Sequence, residues 1–309
     1  MLTRSRLQSL LDVDQPLRKV YALEYKDPDS NLNAVFNMES MSGAEELDMT
    51  SYGIGALENV GEGGAVPYDD PGEGYKTTYA YQVYKKGIQI TEEMFEDNKY
   101  REMRDNMKWL AQRASYDPVN YGFGLLRGGF TASLAGYANY NAGAVALFSA
   151  SQTYENGDSG NQSNYSTNSL SYDNFEAASV AMTEQKSGHG TLIEFTGKLK
   201  LIVPPTLKRE AIEITDSELD PDTAENAINV FKGRADVVVV PYLSAANGGS
   251  DTAWYLCASG HKLNYFWRKK PTFDKETDFD TDVLKYKVKA KYIAGFSDWR
   301  GTWGSIGTT

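Results

Sequence analysis

Cysteine is almost absent from this chain. Cys257 stands alone, which excludes an intrachain disulfide and any cysteine-built zinc site and suits synthesis in a reducing cytoplasm. Histidine is nearly as scarce, with only His189 and His261 to act as base, switch or metal ligand. No run approaches the roughly 20 apolar residues of a membrane helix, and no apolar signal core follows Met1 to Arg6, so a secreted or membrane-spanning protein is not expected. Basic residues are outnumbered, 31 Lys and Arg against 42 Asp and Glu, for a net charge of -11. Nucleic-acid binding draws its phosphate contacts from Lys and Arg, so it is not the main task here, and the acidity serves solubility.

Catalytic signatures are missing as well. There is no Gly-x-Ser-x-Gly elbow, no His-Glu-x-x-His and no Cys-x-x-Cys pair, the patterns that place nucleophiles, zinc or redox thiols. His189 sits between two glycines and reads as a turn residue. Gly197-Lys198 lacks the upstream glycine and the hydroxyl residue of a phosphate loop, and Gly61, Gly63 and Gly64 follow no buried strand. Asp278, Asp280 and Asp282 resemble the start of a calcium loop. However, Val283 stands where that loop needs glycine and Lys289 where it needs a bidentate Glu, which leaves a solvated acidic loop. No enzyme activity, cofactor or metal is expected.

What the chain does have begins with size. With 309 residues, 41% hydrophobic and 24% charged, it has the make-up of a soluble globular protein, long enough for two domains because single cores rarely exceed about 250 to 300 residues. Its organising stretch runs from Leu47 to Leu110. Residues 52–75 hold seven glycines and two prolines, too little side chain for a packed element, and read as an extended excursion. Tyr75, Thr77, Tyr79, Tyr81 and Val83 then alternate with polar or small residues at the period of two that marks a strand. Ile88 and Ile90 resume on the other parity, which predicts a bulge near Gly87. Thr91 is placed to cap a long helix with Glu92 and Glu93 in its first turn and Met103, Met107, Leu110, Ala111 and Ala114 on its apolar face. A hairpin arm with an aromatic strand would be a sticky edge if left alone. It is therefore expected to lie on another subunit.

The remaining chain divides around this arm. Residues 1 to 45 combine a helical pattern from Leu7 to Val13, a polar turn cluster from Asp27 to Asn33 and a β-like Ala34 to Met38, and read as an extended N-terminal arm. Pro118 should kink or end the long helix, and the Gly-, Ser- and Asn-rich stretch from 127 to Ser169 reads as surface loop. A helix capped by Ser171 or Asp173 then carries Phe175, Ala178, Val180 and Met182. Buried strands at Leu199 to Val203 and Asp236 to Val240, a helix from Pro205 to Ile214 and a strand at Trp254 to Cys257 follow. This alternation from about 172 to 268 marks a compact α+β or α/β lobe, whose Asn247 to Asp251 loop is too polar and Gly-rich to be core.

Two charge patterns complete the reading. Leu284, Tyr286, Val288, Ala290, Tyr292, Ala294 and Phe296 alternate with Lys285, Lys287, Lys289 and Lys291. A strand spanning roughly 40 Å, at about 3.3 Å per residue, belongs to a different sheet from the short strands of the lobe. It is expected to pair with the Tyr75 to Ile90 strand and cover the long helix. The arm tip collects Glu58, Glu62, Asp69, Asp70 and Glu73. A ladder of like charges asks for a counter-charge, so the expected subunit contact joins those carboxylates and Tyr75, Tyr79 and Tyr81 to the four lysines; solvation of the lysine face is the alternative.

Five separated motifs carry a family likeness: Val66-Pro-Tyr-Asp-Asp-Pro-Gly-Glu-Gly-Tyr75, Gly87-Ile-Gln-Ile-Thr-Glu-Glu-Met-Phe-Glu-Asp97, Lys200-Leu-Ile-Val-Pro-Pro-Thr-Leu207, Asn226-Ala-Ile-Asn229 and Phe296-Ser-Asp-Trp-Arg-Gly-Thr-Trp-Gly-Ser305. In this order they resemble the major capsid proteins of tailed bacteriophages, in the family similar to the Mu-like major head subunit. The resemblance implies the α+β Hong Kong 97 phage-type capsid fold, with 1–42 as N-terminal arm and 43–90 as the extended loop. It makes 91–171 with 269–309 the peripheral domain, built on a spine helix and a long-stranded sheet, and 172–268 the axial domain. It further implies self-assembly as hexamers and pentamers into the icosahedral virion shell around double-stranded DNA, after synthesis in the host bacterial cytoplasm. A separate scaffolding protein is implied, because the arm begins at once, together with a portal, a decoration protein and non-specific contact with packaged DNA, which would compete for the lysines if their face points inward. No covalent lysine-asparagine crosslink can be assigned to particular positions. The alternative is a multimeric structural protein of a phage tail or fibre, which closed hexameric and pentameric rings would exclude.

Overall fold

One strand, the lysine-bearing segment near the C-terminus, organises the larger part of the molecule. The computed structural model describes residues 15–51, 53–70, 72–132, 134–140, 145–153, 161–188, 190–195, 197–219, 228–278 and 283–308. The Leu7 to Val13 pattern, His189, Asp280, Asp282 and the start of the Asn226 motif lie outside them. In chain order, helix α1 (15–24) and the single turn α2 (Asp29–Leu32) precede β1 (Asn37–Ser40), β2 (Glu45–Ser51), β3 (Glu73–Ala80) and β4 (Gln82–Ile90). A short α3 (Glu92–Glu96) leads into α4 (Tyr100–Gly128), followed by the short strands β5 (Ala138–Asn139), β6 (Gln152–Thr153), β7 (Asn161–Gln162) and β8 (Tyr165–Ser166). Then come α5 (Tyr172–Thr183), β9 (Leu199–Val203), α6 (Lys208–Asp216), β10 (Ala235–Val239), β11 (Trp254–Cys257), β12 (Leu263–Thr277), β13 (Leu284–Phe296) and β14 (Thr302–Ser305).

The first sheet runs β1-β12-β13-β4, with β5 pairing the far end of β13. The apolar side of β13 behaves as its alternation requires: Leu284, Tyr286 and Val288 pack with Met103, Met107, Leu110, Ala111 and Ala114 of α4. A period of two on the strand thus meets a period of 3.6 on the helix, and each large side chain so buried contributes about 1.5 to 3 kcal/mol. β4 pairs with β13 without interruption from Tyr292↔Gln82 to Leu284↔Ile90. No bulge forms at Gly87. The change of parity falls at Tyr81, the single residue between β3 and β4, and Gly87 serves a close backbone approach, since a Cβ there would meet the Tyr286 carbonyl oxygen at 2.9 Å.

The expected single helix from Thr91 is two. They part where Asn98 takes φ +54°, a left-handed conformation that Asn tolerates better than most residues. Pro118 neither ends nor begins an element but lies buried inside α4. Its cost of about 3 kcal/mol is offset by the residues that the continuing helix buries, Val119, Phe123, Leu125 and Leu126, all in the central core. The N-terminal segment is likewise more than a detached arm. Leu17 and Tyr21 join the α4 cluster, Leu32, Val35 and Phe36 enter the central core, and β1 pairs in parallel with β12.

The second sheet, β10-β9-β11-β14-β8, builds the lobe with α5 and α6 packed on it. Ser171 caps α5 as expected, its Oγ accepting from the Asn174 amide at 3.2 Å. Sheet membership crosses the domain limits read from the sequence: residues 263–268 belong to the long-stranded sheet, and β14 returns the C-terminal segment to the lobe between β11 and β8. Gly301, at φ +73°, makes the turn that Cβ-bearing residues resist, and its amide donates to Gln185 Oε1 at 2.8 Å. The stretch from 127 to 170 is also more than surface loop. Asn164 is buried and its Nδ2 donates to the Leu147 carbonyl at 2.8 Å, while Phe148 and Tyr140 enter the central core. The Asn247 to Asp251 loop is seated on α4 rather than free. Asn247 Nδ2 donates to Asn120 Oδ1 at 2.7 Å, and a Cβ on Gly249 would meet the Leu243 carbonyl at 2.0 Å.

Candidate assembly surfaces

β2 and β3 form an antiparallel ribbon apart from both sheets, paired from Glu45↔Ala80 to Ser51↔Glu73. A lone two-stranded ribbon is marginal in water, so its base must be held by something else. Tyr79 is 0% exposed, its ring lies 4.5 Å from that of Phe266, and its hydroxyl is 2.7 Å from Ser297 Oγ. Thr77 donates to the Phe296 carbonyl at 3.4 Å, and Tyr75 stacks on Tyr140 with centroids 4.0 Å apart. Tyr81 packs with Met41, Phe266 and Ile293. The aromatic face of the arm is therefore turned onto its own chain. Tyr79 leaves no surface for a neighbour, which removes it from the expected contact set, and Tyr75 and Tyr81 are largely engaged at home. Alternation reveals that one side of a strand is covered, not what covers it.

Beyond this base the tip is bare. Leu47, Met49, Ile54 and Val66 are exposed, Leu57 is 101% and Tyr68 95% exposed, so the tip gathers open apolar side chains in one stretch of chain. Between Gly43 and Tyr75 the chain has eight carboxylates and no Lys or Arg. Glu58, Glu62, Asp69, Asp70 and Glu73 are all exposed, and Asp69 also steadies the tip by accepting from the Gly55 amide at 2.6 Å.

The lysine face exists as expected, but its partners divide it. Directly opposed residues in antiparallel strands share a face. At one end Lys285 stands opposite Glu276 and forms an ion pair with Asp278, and Lys287 stands opposite Asp274. At the other end Lys289 is flanked by Lys85 across β4 and by Thr272 across β12, and Lys291 by Val83 and Lys269. Lys291 and Lys85 chiefly hold the Lys289 ammonium below the ordinary lysine range, as like charges do. Only the register could reveal Lys85 and Lys269 as members, because they lie on other strands.

Elsewhere the chemistry is quiet. Burial pushes the Cys257 thiol up to about 12, so it is inert, and no group of acidic, His or Cys side chains among the described residues could hold a metal ion. No described helix is long and apolar enough to cross a membrane. His261 is 5% exposed, its Nδ1 accepts from the Leu263 amide at 3.2 Å, and burial, with Lys200 nearby, lowers its pKa from 6.5 to about 4. The unfolded chain therefore takes up a proton that the folded chain refuses. Stability present above pH 6.5 should fall as the pH drops toward 4, by on the order of 3 kcal/mol at the low end. Urea midpoints at pH 7 and pH 4.5 should converge in His261→Gln relative to the parent; an unchanged gap would show that carboxylates alone set the acid limb.

Residues 74–304 match the family described as phage capsid protein. No curated protein matches the chain. Among solved structures, that of Mycobacterium phage Patience is similar with a TM-score of 0.55 at 11% identity, over 95% of this chain and 86% of that one. The capsid of a native GTA particle matches at 0.54 with 8% identity, over 91% and 90%, and the capsid of Cyanophage Pam1 at 0.51 with 14%, over 88% and 87%.

Proposed function

The chain belongs to the phage capsid protein family, with the Hong Kong 97 phage-type fold of a major capsid protein that forms the virion shell, and from this premise we propose that its copies close into hexameric and pentameric rings joined by the β2-β3 hairpin. In this reading residues 43–90 are the extended loop, the α4 region with the long-stranded sheet is the peripheral domain, and the lobe around α5, α6 and the second sheet is the axial domain. The hairpin tip of one copy lies across its neighbour. The observation that carries it is the bare apolar tip on an intramolecularly anchored base. A surface of that kind is stable in water only when something covers it, and a shell offers every tip the same cover.

A separate scaffolding protein, a portal, a decoration protein and non-specifically held double-stranded DNA complete the proposed set of partners, with synthesis in the host bacterial cytoplasm. Negative-stain and cryo-electron microscopy of the protein expressed with its neighbouring phage genes test the reading. Closed shells with five- and six-fold units are expected, whereas tubes or fibres would favour a tail protein.

A further inference from the structure

We propose that the basic quartet Lys85, Lys269, Lys289 and Lys291, with Arg268 at its edge, is the surface on which the acidic hairpin tip of a second copy of this chain comes to rest. The proposal deepens the reading of the hairpin as crossing onto a neighbour, and rests on it.

Three observations converge. First, the quartet is unbalanced within its own chain: cross-strand register places Lys85 opposite Lys289 and Lys269 opposite Lys291, while the carboxylates of β12, Asp274 and Glu276, sit opposite Lys287 and Lys285. Among the described residues none of the four has a carboxylate at ion-pair distance. Second, the charge that would balance it is concentrated in one place, in the eight carboxylates between Gly43 and Tyr75. Third, the patch is not purely ionic. Val83, opposite Lys291 on the same face, is 48% exposed, and half-buried Tyr81 lies beneath Lys291 at 4.9 Å and Arg268 at 5.9 Å. Cations around an open apolar floor match a tip that mixes Glu58, Glu62 and Asp70 with bare Leu57, Val66 and Tyr68. A nucleic-acid backbone would use the charges and leave the apolar floor unused. Charge of this kind steers docking more than it holds the docked state, and the apolar side chains then exclude water.

The test is a charge swap read by light scattering and electron microscopy of assembling protein. One variant reverses the sheet (Lys85→Glu with Lys269→Glu) and one reverses the tip (Glu58→Lys, Glu62→Lys and Asp70→Lys). A third carries both sets, and a fourth lacks residues 56–70. Asp69 is spared because it holds the Gly55 amide. Each single set should slow assembly by about tenfold or more at low ionic strength, and the combined set should recover to within about threefold of the parent. The parental rate should itself fall as salt shortens the screening length below about 8 Å. The tip set lies in a segment without secondary structure, so its effect cannot come from unfolding of the body, and circular dichroism melts check the sheet set. No recovery in the combined set, or unchanged assembly in both single sets, overturns the proposal. Normal empty shells from the sheet set with loss only of DNA-filled particles would assign the quartet to DNA and overturn it as well. Parental assembly without residues 56–70 would instead sink the crossing hairpin itself. Blocked assembly there, with the sheet set unaffected, would spare the hairpin and reject only this landing site.

Discussion

Removal of residues 56–70 should leave a folded chain that no longer closes into shells. Ser51 and Glu73 are paired across the ribbon, so the shortened loop has little distance to bridge, and Thr77 and Tyr79 still tie β3 to the body. The deleted side chains touch little of their own chain, and surface changes of that kind stay within about 0.5 kcal/mol. The melting temperature of the unassembled protein should therefore move by no more than about 2 °C. Assembly is another matter, because the deletion takes away Leu57, Val66 and Tyr68, each worth about 1.5 to 3 kcal/mol if buried at a neighbour. Losing two of the three already weakens a contact by about 100-fold, and a closed shell repeats that loss at every subunit. Sedimentation should find subunits or small rings in place of particles. Shells formed at the parental yield would refute an assembly role for the tip.

Tyr79→Ala should have the opposite character, destabilising the isolated chain before assembly begins. It empties a site walled by Phe266, Met41, Ala138 and Ile293, and truncation of a buried aromatic costs about 3 to 5 kcal/mol. Tyr79→Phe keeps the ring and loses only the hydroxyl shared with Ser297 and Asn264, a change of about 1 to 3 kcal/mol because those partners are then left unpaired. Denaturant midpoints of unassembled protein measure both. If Tyr79→Ala unfolds at the parental midpoint yet fails to assemble, the ring serves a neighbour and its intramolecular placement is wrong.

The two variants divide the arm into an anchored base and a reaching tip, a division that the sequence alone did not disclose. Its period-two alternation from Tyr75 to Tyr81 determined that a strand with one covered face exists, although Val83, read as its continuation, lies exposed on the next strand. The same logic determined β13 and its packing on α4, since a long strand with one apolar side has few places to go, but of the partner strand expected from Tyr75 to Ile90 only Gln82–Ile90 pairs with it. The run of glycines determined the extended tip, and five ordered motifs carried the family likeness.

Tertiary structure decided everything that depends on which surfaces meet. Period alone could not tell that Tyr79 covers its own core, because a neighbour would impose the same alternation. Nor could it foresee that α4 passes through Pro118, where burial of the residues beyond outweighs a local backbone penalty. Parity could place a break near Gly87 but not at Tyr81, where β3 leaves for the ribbon and β4 stays in the sheet. The lysine ladder was legible on one strand as four equal charges. Register across three strands made them unequal, matching Lys285 and Lys287 with β12 carboxylates and joining Lys289 and Lys291 to Lys85 and Lys269. Local order is written in residue spacing, which the chain carries with it, whereas the partners of a surface are set by segments hundreds of residues away that only folding brings together.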